Sequence, residues 1–214
     1  MIIKCIPGGI FLTNSYIVGD EDTNEGILID PGEQVDEVLS EIEKSGLKIT
    51  KIVNTHTHID HVVGVQKAKE ALGVKFYLHP EEEPVLQALP ESAMRFPQFG
   101  EVEIPEIDGY IEEGDEIEIG SLKAKVLHTP GHTWGSICLV IDDQVISGDT
   151  LFAGSVGRVD LTGGTSMRDL VGSIKAKLMA LPDSYAVHPG HGPETTIGIE
   201  RRSNPFIAGD LIIL

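Results

Sequence analysis

The sequence has 214 residues, of which 41% are hydrophobic, and its 16 Lys and Arg against 34 Asp and Glu give a formal charge of -18. A surface this acidic repels phosphate backbones and anionic lipids, so the composition argues against nucleic-acid and membrane-surface binding. No stretch reaches the ~18 apolar residues of a membrane span, and the N-terminus does not resemble a signal peptide, so we expect one cytoplasmic domain, residues 1–214.

The first half of the chain alternates predicted strands and helices. Short apolar runs that end at Gly or Pro predict strands at FLTNSYIVG, GILIDPG, ITKIVNT and KFYLH. A helical period predicts a helix over QVDEVLSEIEKSGL, with a stop at Gly46, and another over HVVGVQKAKEALG, which ends near Gly73. Pro80 to Met94 is interpreted as a helical or irregular acidic segment, followed by a surface loop.

The second half repeats this organisation. From Tyr110 onward, repeated short apolar runs separated by Gly and Asp predict several strands. SMRDLVGSIKAKLMAL is predicted to be an amphipathic helix, and SYAVHPGHG a final strand with its loop. Two similar halves favour an α/β (α+β) fold in which two sheets pack together and helices cover them outside.

The two cysteines, Cys5 and Cys138, are far apart and form no CxxC motif. A disulfide framework or a cysteine-rich zinc module is therefore not indicated. We expect both to be buried, reduced thiols.

The loop NTHTHIDHVVG places His56, His58, Asp60 and His61 within six consecutive residues. Alternate residues of an extended segment point the same way, so His56 and His58 can converge on one ion. Asp60 and His61 lie where the chain turns into a helix, which directs their side chains toward a second ion. An isolated His-x-His is more often structural than metal-binding, so the loop alone leaves both interpretations open.

Three further polar turns follow predicted strands and add candidate ligands: His132 in HTPGHTWGS, Asp149 in VISGDTLF and His191 in VHPGHGPETT. Zinc accepts imidazole and carboxylate ligands in roughly tetrahedral sites, and a catalytic site keeps one position for water. Seven candidates suit two such sites with a shared ligand, and Asp149, with two oxygens, is the residue suited to bridge. The remaining histidines are expected to be structural: His79, His128 and His188.

The motifs THTHIDH, PGHTWGS, SGDTLF and PGHG, in this order, resemble those of the metallo-β-lactamase fold superfamily, over the span from Asp30 to His191. The resemblance implies a four-layer αββα sandwich. It also implies two divalent metal ions, expected to be zinc, with iron or manganese as alternatives. The implied ligands are His56, His58 and His132 for one metal, Asp60, His61 and His191 for the other, and Asp149 between them.

The segments GDTLFAGSVGRVDLTGG and GIERRSNPFI most resemble the short, single-domain glyoxalase II-like hydrolases. Glyoxalase II hydrolyses the thioester S-lactoylglutathione, so the resemblance implies a small-molecule thioester or ester substrate. Its mechanism implies attack by a hydroxide that bridges the two metals, with Asp60 and Asp149 as catalytic carboxylates. We expect no nucleic-acid or membrane partner. We expect the protein to be a monomer or a small homo-oligomer.

The residues that hold glutathione in this family differ here. The family's full-length enzymes carry a further helical domain, which we do not expect after Leu214. Where they use a lysine and two tyrosines, this sequence has Arg158, Asp160 and Pro193. Arg158 could bind a substrate carboxylate bidentately or could pair with Asp160, and the two hypotheses stand equal. Tight binding of glutathione is therefore not expected.

The segments VGRVD and ERRSNP also resemble the persulfide dioxygenases of the same superfamily. There, two histidines and an aspartate hold one iron, here His56, His132 and Asp149, and oxygen is activated rather than water. Metal content would separate the two activities. Antibiotic-hydrolysing members usually lack the bridging aspartate, and a non-enzymatic metal-binding module would have a closed coordination shell.

Overall fold

Six strands form the first sheet, and their spatial order is the order along the chain. The computed structural model describes residues 1–209, so the last five positions of the predicted domain lie outside the described residues. The strands are β1 (Ile2–Gly8), β2 (Thr13–Gly19), β3 (Glu25–Ile29), β4 (Lys48–Val53), β5 (Lys75–Leu78) and β6 (Gly109–Tyr110). The first three strands pair antiparallel, and β3 to β6 pair parallel.

Six of the next eight strands form the second sheet. In chain order the strands are β7 (Glu116–Ile119), β8 (Leu122–His128), β9 (Ile137–Ile141), β10 (Gln144–Gly148), β11 (Leu151–Phe152), β12 (Ser155–Val156), β13 (Ala186–Pro189) and β14 (Thr195–Thr196). The spatial order is β14-β13-β10-β9-β8-β7, while β11 and β12 pair with each other. Within this sheet only β10 and β13 run parallel.

Short helices connect the strands. They are α1 (Val35–Ser45), α2 (Ile59–Val62), α3 (Val65–Leu72), α4 (Glu83–Gln87), α5 (Leu89–Arg95), α6 (Met167–Ser173) and α7 (Ile197–Ser203). Pro80–Glu82 and Pro97–Phe99 are single 3₁₀ turns, and Ile174–Leu178 continues α6 as a π-helix. Within residues 1–209, no helix is long and apolar enough to cross a bilayer.

Three apolar layers hold the two sheets and the helices together. Along β2, Tyr16 and Val18 belong to the layer between the sheets, whereas Ile17 belongs to the layer under α1. This alternation follows from the two-residue period of a strand. The third layer packs the outer face of the second sheet against α6, through residues such as Val145 and Leu170. The predicted αββα sandwich is confirmed.

Some predicted boundaries differ from the structure. The helix predicted over His61–Gly73 is divided into α2 and α3, because Gly64 lies against the backbone of Pro31 and donates its N–H to that carbonyl at 3.0 Å. Gly46 ends α1 as predicted, with a left-handed φ of 70°. Strand β1 and helix α7 were not predicted.

One prediction about the cysteines is wrong. Cys5 lies on the edge strand β1 and is exposed, whereas Cys138 is buried as predicted. Both thiols are free. An edge strand leaves one side unpaired, so the side chains along it are less covered than those of a central strand.

Candidate metal centre

Four loops meet at one end of the sandwich, and each follows a strand. The loop after β4 carries His56, His58 and the start of α2, and the loops after β8, β10 and β13 carry His132, Asp149 and His191. Two backbone hydrogen bonds join the sheets here: Asn14 N–H donates to Gly190 O at 2.7 Å, and Ile137 N–H donates to Thr55 O at 2.9 Å. The loops are therefore fixed relative to one another by main-chain contacts.

The strand before Asp149 ends in an irregularity that re-aims the chain. The pairing of β10 with β13 shifts register between Ile146 and Gly148. Gly148 has a left-handed φ of 48°, which glycine adopts without strain. Bulges of this kind redirect side chains next to active sites. Here the shift turns Asp149 toward the meeting point of the four loops.

The first group of candidate ligands is His56, His58 and His132. Their nitrogens lie within 4.8 Å of one another. His132 Nε2 is 3.3 Å from His56 Nε2 and 2.9 Å from His58 Nδ1. Ligand atoms at about 2.0 Å from a tetrahedral ion are separated by about 3.3 Å, so these spacings fit one metal ion.

The second group is Asp60, His61 and His191, whose ligand atoms also lie within 4.8 Å of one another. His61 Nε2 is 3.3 Å from His191 Nε2 and 3.5 Å from Asp60 Oδ2. His191 Nε2 is 3.3 Å from the same carboxylate oxygen. These distances likewise match the edges of a coordination tetrahedron.

Asp149 lies between the two groups. Its Oδ2 is 3.5 Å from His132 Nε2 of the first group and 3.5 Å from His191 Nε2 of the second. Its Oδ1 is buried without a hydrogen-bond partner among the described residues. Gly190 permits this approach, because a Cβ there would collide with Asp149 Oδ1. A buried, unpaired carboxylate oxygen is costly unless a cation satisfies it.

In each of the five imidazoles, one ring nitrogen faces the other candidate ligands (the inner nitrogen), and the other points away from them and contacts an oxygen (the outer nitrogen). The pairs are His56 Nδ1 with Thr55 Oγ1 (3.2 Å), His58 Nε2 with Thr162 O (2.9 Å), His61 Nδ1 with Asp30 Oδ2 (3.1 Å), His132 Nδ1 with Arg158 O (2.7 Å) and His191 Nδ1 with Phe11 O (3.0 Å). The last four acceptors are carbonyl or carboxylate oxygens, so the outer nitrogen donates its proton to each. Such partners fix the tautomer and the orientation of metal-binding histidines.

In a neutral ring held this way, the inner nitrogen carries a lone pair, and the inner nitrogens of these histidines face one another. In the case of His58 and His132 the two inner nitrogens are only 2.9 Å apart. Two lone pairs at this distance repel each other unless a proton or a metal ion lies between them. The residues fit a pair of cations, because the donor set, the spacings and the orphaned oxygen of Asp149 all require positive charge in the same space.

The charge of each group in the centre depends on its burial and on its charged neighbours. Burial opposes ionisation of Asp149, but His61 and His191 outweigh it and lower its pKa to about 2. Burial also opposes a charge on His191, yet hydrogen bonds to Asp149 and Asp60 raise its pKa to about 11. Burial lowers the pKa of His132 to about 4, so that ring is neutral at pH 7. Ionised carboxylates and neutral imidazoles are the forms that bind metals. Asp149 and His132 are therefore already in the binding form, whereas His191 must lose a proton when a cation binds.

Asp30 supports the centre from behind and was not predicted as a functional residue. It is buried, and besides His61 it accepts hydrogen bonds from Thr55, at 2.7 Å from the amide and 2.6 Å from the hydroxyl. One carboxylate thus orients His61 and fixes the backbone directly before His56. Its only signal in the sequence is its place in the motif LIDPG.

Asp30→Asn is expected to weaken metal binding about 10- to 100-fold, the usual effect of losing such an outer partner. Asparagine keeps the shape and tolerates the left-handed φ of 50° at this position, but it removes the negative charge behind His61. Competition with a chelating dye would measure the dissociation constant. Asp143→Asn, on an exposed turn, is the control, and equal affinities in the two variants would contradict the role.

Glu82 is a second supporting residue that the sequence did not reveal. It is fully buried, and its Oε2 accepts hydrogen bonds from the amide of Thr57 at 2.8 Å and its hydroxyl at 2.9 Å. Its Oε1 accepts the amide of Gly135 at 2.9 Å. Glu82 thereby connects the loop of His56 and His58 to the loop of His132. In the run PEEEP nothing distinguishes this glutamate from its exposed neighbours.

A cavity of about 460 Å³ opens over the two groups. Five of the candidate ligands line it: His58, Asp60, His132, Asp149 and His191. The rest of its wall is mainly apolar, formed by Phe11, Ile59, Phe96, Phe152, Val156 and Leu161. Arg95 and Arg158 are the only Lys or Arg residues that line it within the part of the chain that the structure describes. This volume suits a small molecule rather than a macromolecular segment.

The sequence profile of the Metallo-beta-lactamase superfamily matches residues 8–191, which is most of the chain. The chain belongs to the metallo-beta-lactamase superfamily. Members of this superfamily are metal-dependent hydrolases that hold divalent cations through clusters of His and Asp. The seven predicted ligand positions all lie within the matched region: six form the two groups described above, and Asp149 lies between them.

Similar proteins cover nearly the whole length of this superfamily member. Hydroxyacylglutathione hydrolase GloC of Haemophilus influenzae is 35% identical over 97% of this chain and 98% of its own. The crystal structure of BLEG-1 B3 metallo-beta-lactamase has a TM-score of 0.89 and 33% identity, over 97% of this chain and all of the other. The crystal structure of TTHA1623 in a di-iron-bound form has a TM-score of 0.85 and 37% identity, over 95% of this chain and 99% of the other. The crystal structure of ETHE1 from Myxococcus xanthus has a TM-score of 0.82 and 31% identity, over 98% of this chain and 85% of the other.

The remaining histidines of this superfamily member lie away from its cavity. His79 and His128 stack with ring centroids 4.0 Å apart and planes only 14° from parallel, with Glu81 nearby. In-plane lone pairs of parallel rings cannot converge on one ion, so this cluster does not fit a metal. His188 contacts Glu194 at 3.1 Å and Gln144 at 2.7 Å. The structural roles predicted for these histidines agree with their contacts.

Two arginines that follow the matched region, Arg201 and Arg202, have structural contacts. Arg201 donates to the carbonyls of Met179 and Leu181 at 2.8 and 2.7 Å and pairs with Asp183. Arg202 pairs with Asp183 at 3.0 Å. Neither lines the cavity. They attach α7 to the segment that follows α6.

Proposed function

We propose that this protein hydrolyses a small-molecule thioester or ester in the manner of glyoxalase II, with two divalent metal ions. The observation that carries the proposal is the pair of three-ligand groups with Asp149 between them, open to a cavity of about 460 Å³. The likeness to GloC, which is named a hydroxyacylglutathione hydrolase, supports a thioester. We propose zinc as the physiological metal, with iron or manganese as alternatives, since TTHA1623 is known in a di-iron-bound form.

When bound, two divalent cations lower the pKa of a coordinated water and polarise the carbonyl oxygen of the substrate. The residues of the chain hold and orient the reacting groups. In the proposed roles His56, His58 and His132 hold one ion, and Asp60, His61 and His191 hold the other. Asp149 would hold both ions, because its Oδ2 lies 3.5 Å from a histidine nitrogen of each group.

Asp60 is proposed to take up the proton that the attacking water loses. Burial opposes ionisation of Asp60, but His61 and His191 outweigh it and lower its pKa. A bound cation would favour the ionised carboxylate in the same way. Thr13 donates a hydrogen bond to Asp60 Oδ2 at 2.7 Å and holds the group in place. Asp60 lines the cavity, where the substrate carbonyl would lie.

A second candidate function is a mononuclear iron dioxygenase that acts on a persulfide. The triad it would use is compact: His132 Nε2 lies 3.3 Å from His56 Nε2 and 3.5 Å from Asp149 Oδ2. The likeness to ETHE1 from Myxococcus xanthus is compatible with this alternative. We favour the hydrolase because the group of Asp60, His61 and His191 would otherwise have no ion to bind.

Elemental analysis of the purified protein, combined with three assays, tests the proposal. We expect two metal ions per chain and hydrolysis of S-lactoylglutathione or of a simpler thioester. One iron per chain, with oxygen consumed on glutathione persulfide, would establish the dioxygenase instead. Turnover of a chromogenic β-lactam with no thioesterase activity would favour the function named for BLEG-1. Either of these two results would overturn the proposal.

A further inference from the structure

We propose that Arg95 binds an anionic group of the substrate, and hence that the substrate is a thioester or ester with a negative charge away from its scissile carbonyl. This inference deepens the proposed function and rests on it. It starts from the basic residues of the cavity. Of the 16 Lys and Arg in the chain, only Arg95 and Arg158 line the cavity among the described residues.

The charge of Arg158 is already compensated. Its Nε donates to Asp160 Oδ1 and its Nη2 to Asp160 Oδ2, both at 2.8 Å. This bidentate geometry uses the edge of the guanidinium that would otherwise recognise a substrate carboxylate. An anion could bind Arg158 only by displacing Asp160 or by sharing the guanidinium with a like charge.

Arg95 has no such partner. It is exposed at the end of α5, and within residues 1–209 it forms no ion pair and no side-chain hydrogen bond. Glu91, one helical turn earlier, makes no ion pair with it. The five donors of this guanidinium are free to bind an anion at the cavity wall.

The wall beside Arg95 is aromatic and is joined to the metal centre. The ring of Phe96 packs edge to face on Phe11, with centroids 5.3 Å apart. The carbonyl of Phe11 in turn accepts the hydrogen bond from His191 Nδ1. One continuous surface therefore runs from His191 through the two rings to Arg95. A substrate that follows it has an apolar part next to the rings and an anionic part at the arginine.

The acidity of the protein makes a single free arginine effective. The chain carries a formal charge of -18, so an anionic substrate is repelled by most of the surface. Two carboxylates line the cavity, those of Asp60 and Asp149, and both lie beside His191. Metal ions would offset their charge. Arg95 then supplies the only uncompensated side-chain cation that lines the described cavity.

The test compares Arg95→Gln with wild type on two matched pairs of thioesters. The first pair places the anion on the thiol: S-lactoylglutathione and its diethyl ester. The second places it on the acyl group: S-succinyl- and S-butyryl-N-acetylcysteamine. For the charged member of whichever pair is hydrolysed, we expect Arg95→Gln to raise KM about five- to tenfold, as expected for a partly exposed charge-assisted contact. The member that lacks the anion is expected to change less than about twofold.

Two further variants complete the experiment. Arg95→Lys should recover much of the loss, and Arg168→Gln, the same charge change at an exposed residue outside the cavity, should leave KM unchanged. Equal effects of Arg95→Gln on the substrates with and without the anion would overturn the inference, as would an anion-dependent loss in Arg158→Gln alone. Both results leave thioester hydrolysis by the wild type intact. A wild type inactive on all four substrates would instead overturn the proposed function.

Discussion

Asp149→Ala is expected to lower hydrolysis about a thousandfold or more and to reduce the metal content below two ions per chain. Asp149 contacts ligands of both groups, with its Oδ2 3.5 Å from His132 Nε2 and its Oδ1 3.5 Å from His61 Nε2. If Asp149 binds both ions as proposed, its removal would take a ligand from each ion and several kcal/mol from the stabilisation of the transition state. Elemental analysis and kcat/KM on the active substrate would measure both effects.

The matched control for this variant is Asp22→Ala. Asp22 lies on an exposed turn, and its side chain makes no hydrogen bond among the described residues. The substitution removes the same charge from the protein but should leave metal content and kcat/KM unchanged. If Asp149→Ala retained two metals and full activity, the bridging assignment would be wrong.

Removal of the metals by a chelator is expected to abolish hydrolysis and to lower the melting temperature by about 10 °C. Ions present at about a thousand times their dissociation constant stabilise the folded state by about 4 kcal/mol, and 1 kcal/mol corresponds to about 2–4 °C for a domain of this size. The loss is expected here because removal leaves facing lone pairs and the buried Asp149 Oδ1 without a cation. Thermal unfolding before and after dialysis against a chelator would measure it.

Re-addition of a single metal type provides the control. Recovery of both activity and melting temperature would show that the chelator acted only through the metals, and the metal that restores most activity would be identified at the same time. An unchanged melting temperature in protein shown by elemental analysis to be free of metal would contradict the expected coupling of metal binding to stability.

The layered fold follows largely from patterns that the sequence displays. FLTNSYIVG was predicted to be a strand, and the structure places Tyr16 and Val18 on one face of β2 and Ile17 on the other, as the two-residue period of a strand requires. Gly46 ends α1 because it adopts a left-handed conformation that other residues rarely do. In contrast, β1 and α7 are stabilised by pairing and packing against distant segments, and their own residues carry only weak local signals.

The candidate ligands were also accessible from the sequence, because each lies in the segment that follows a strand. A strand that ends at one edge of a sheet delivers the next residue to the same place as its neighbours do, so polar residues at those positions meet. The structure brings together all seven side chains that the sequence predicted. Their roles as ligands remain a proposal that the experiments above test.

Residues that act through others were not predictable from the sequence. Asp30 and Glu82 are two of 34 acidic residues, and only their burial beside His61 and Thr57 distinguishes them. Likewise, the pattern could not decide whether Arg158 pairs with Asp160 or remains free, and it gave no indication that Arg95 lines the cavity.

The sequence by itself therefore determined the layered fold and the chemical type of the site, because strand periodicity and the residues that follow strand ends are local properties of the chain. Only the tertiary structure decided which carboxylates support the histidines and which arginine is free to bind an anion. Those roles depend on burial and on partners far apart in the chain, such as Asp30 with His61 or Phe11 with His191. Burial and long-range contacts arise only when the chain folds, and no short stretch of sequence predicts either of them.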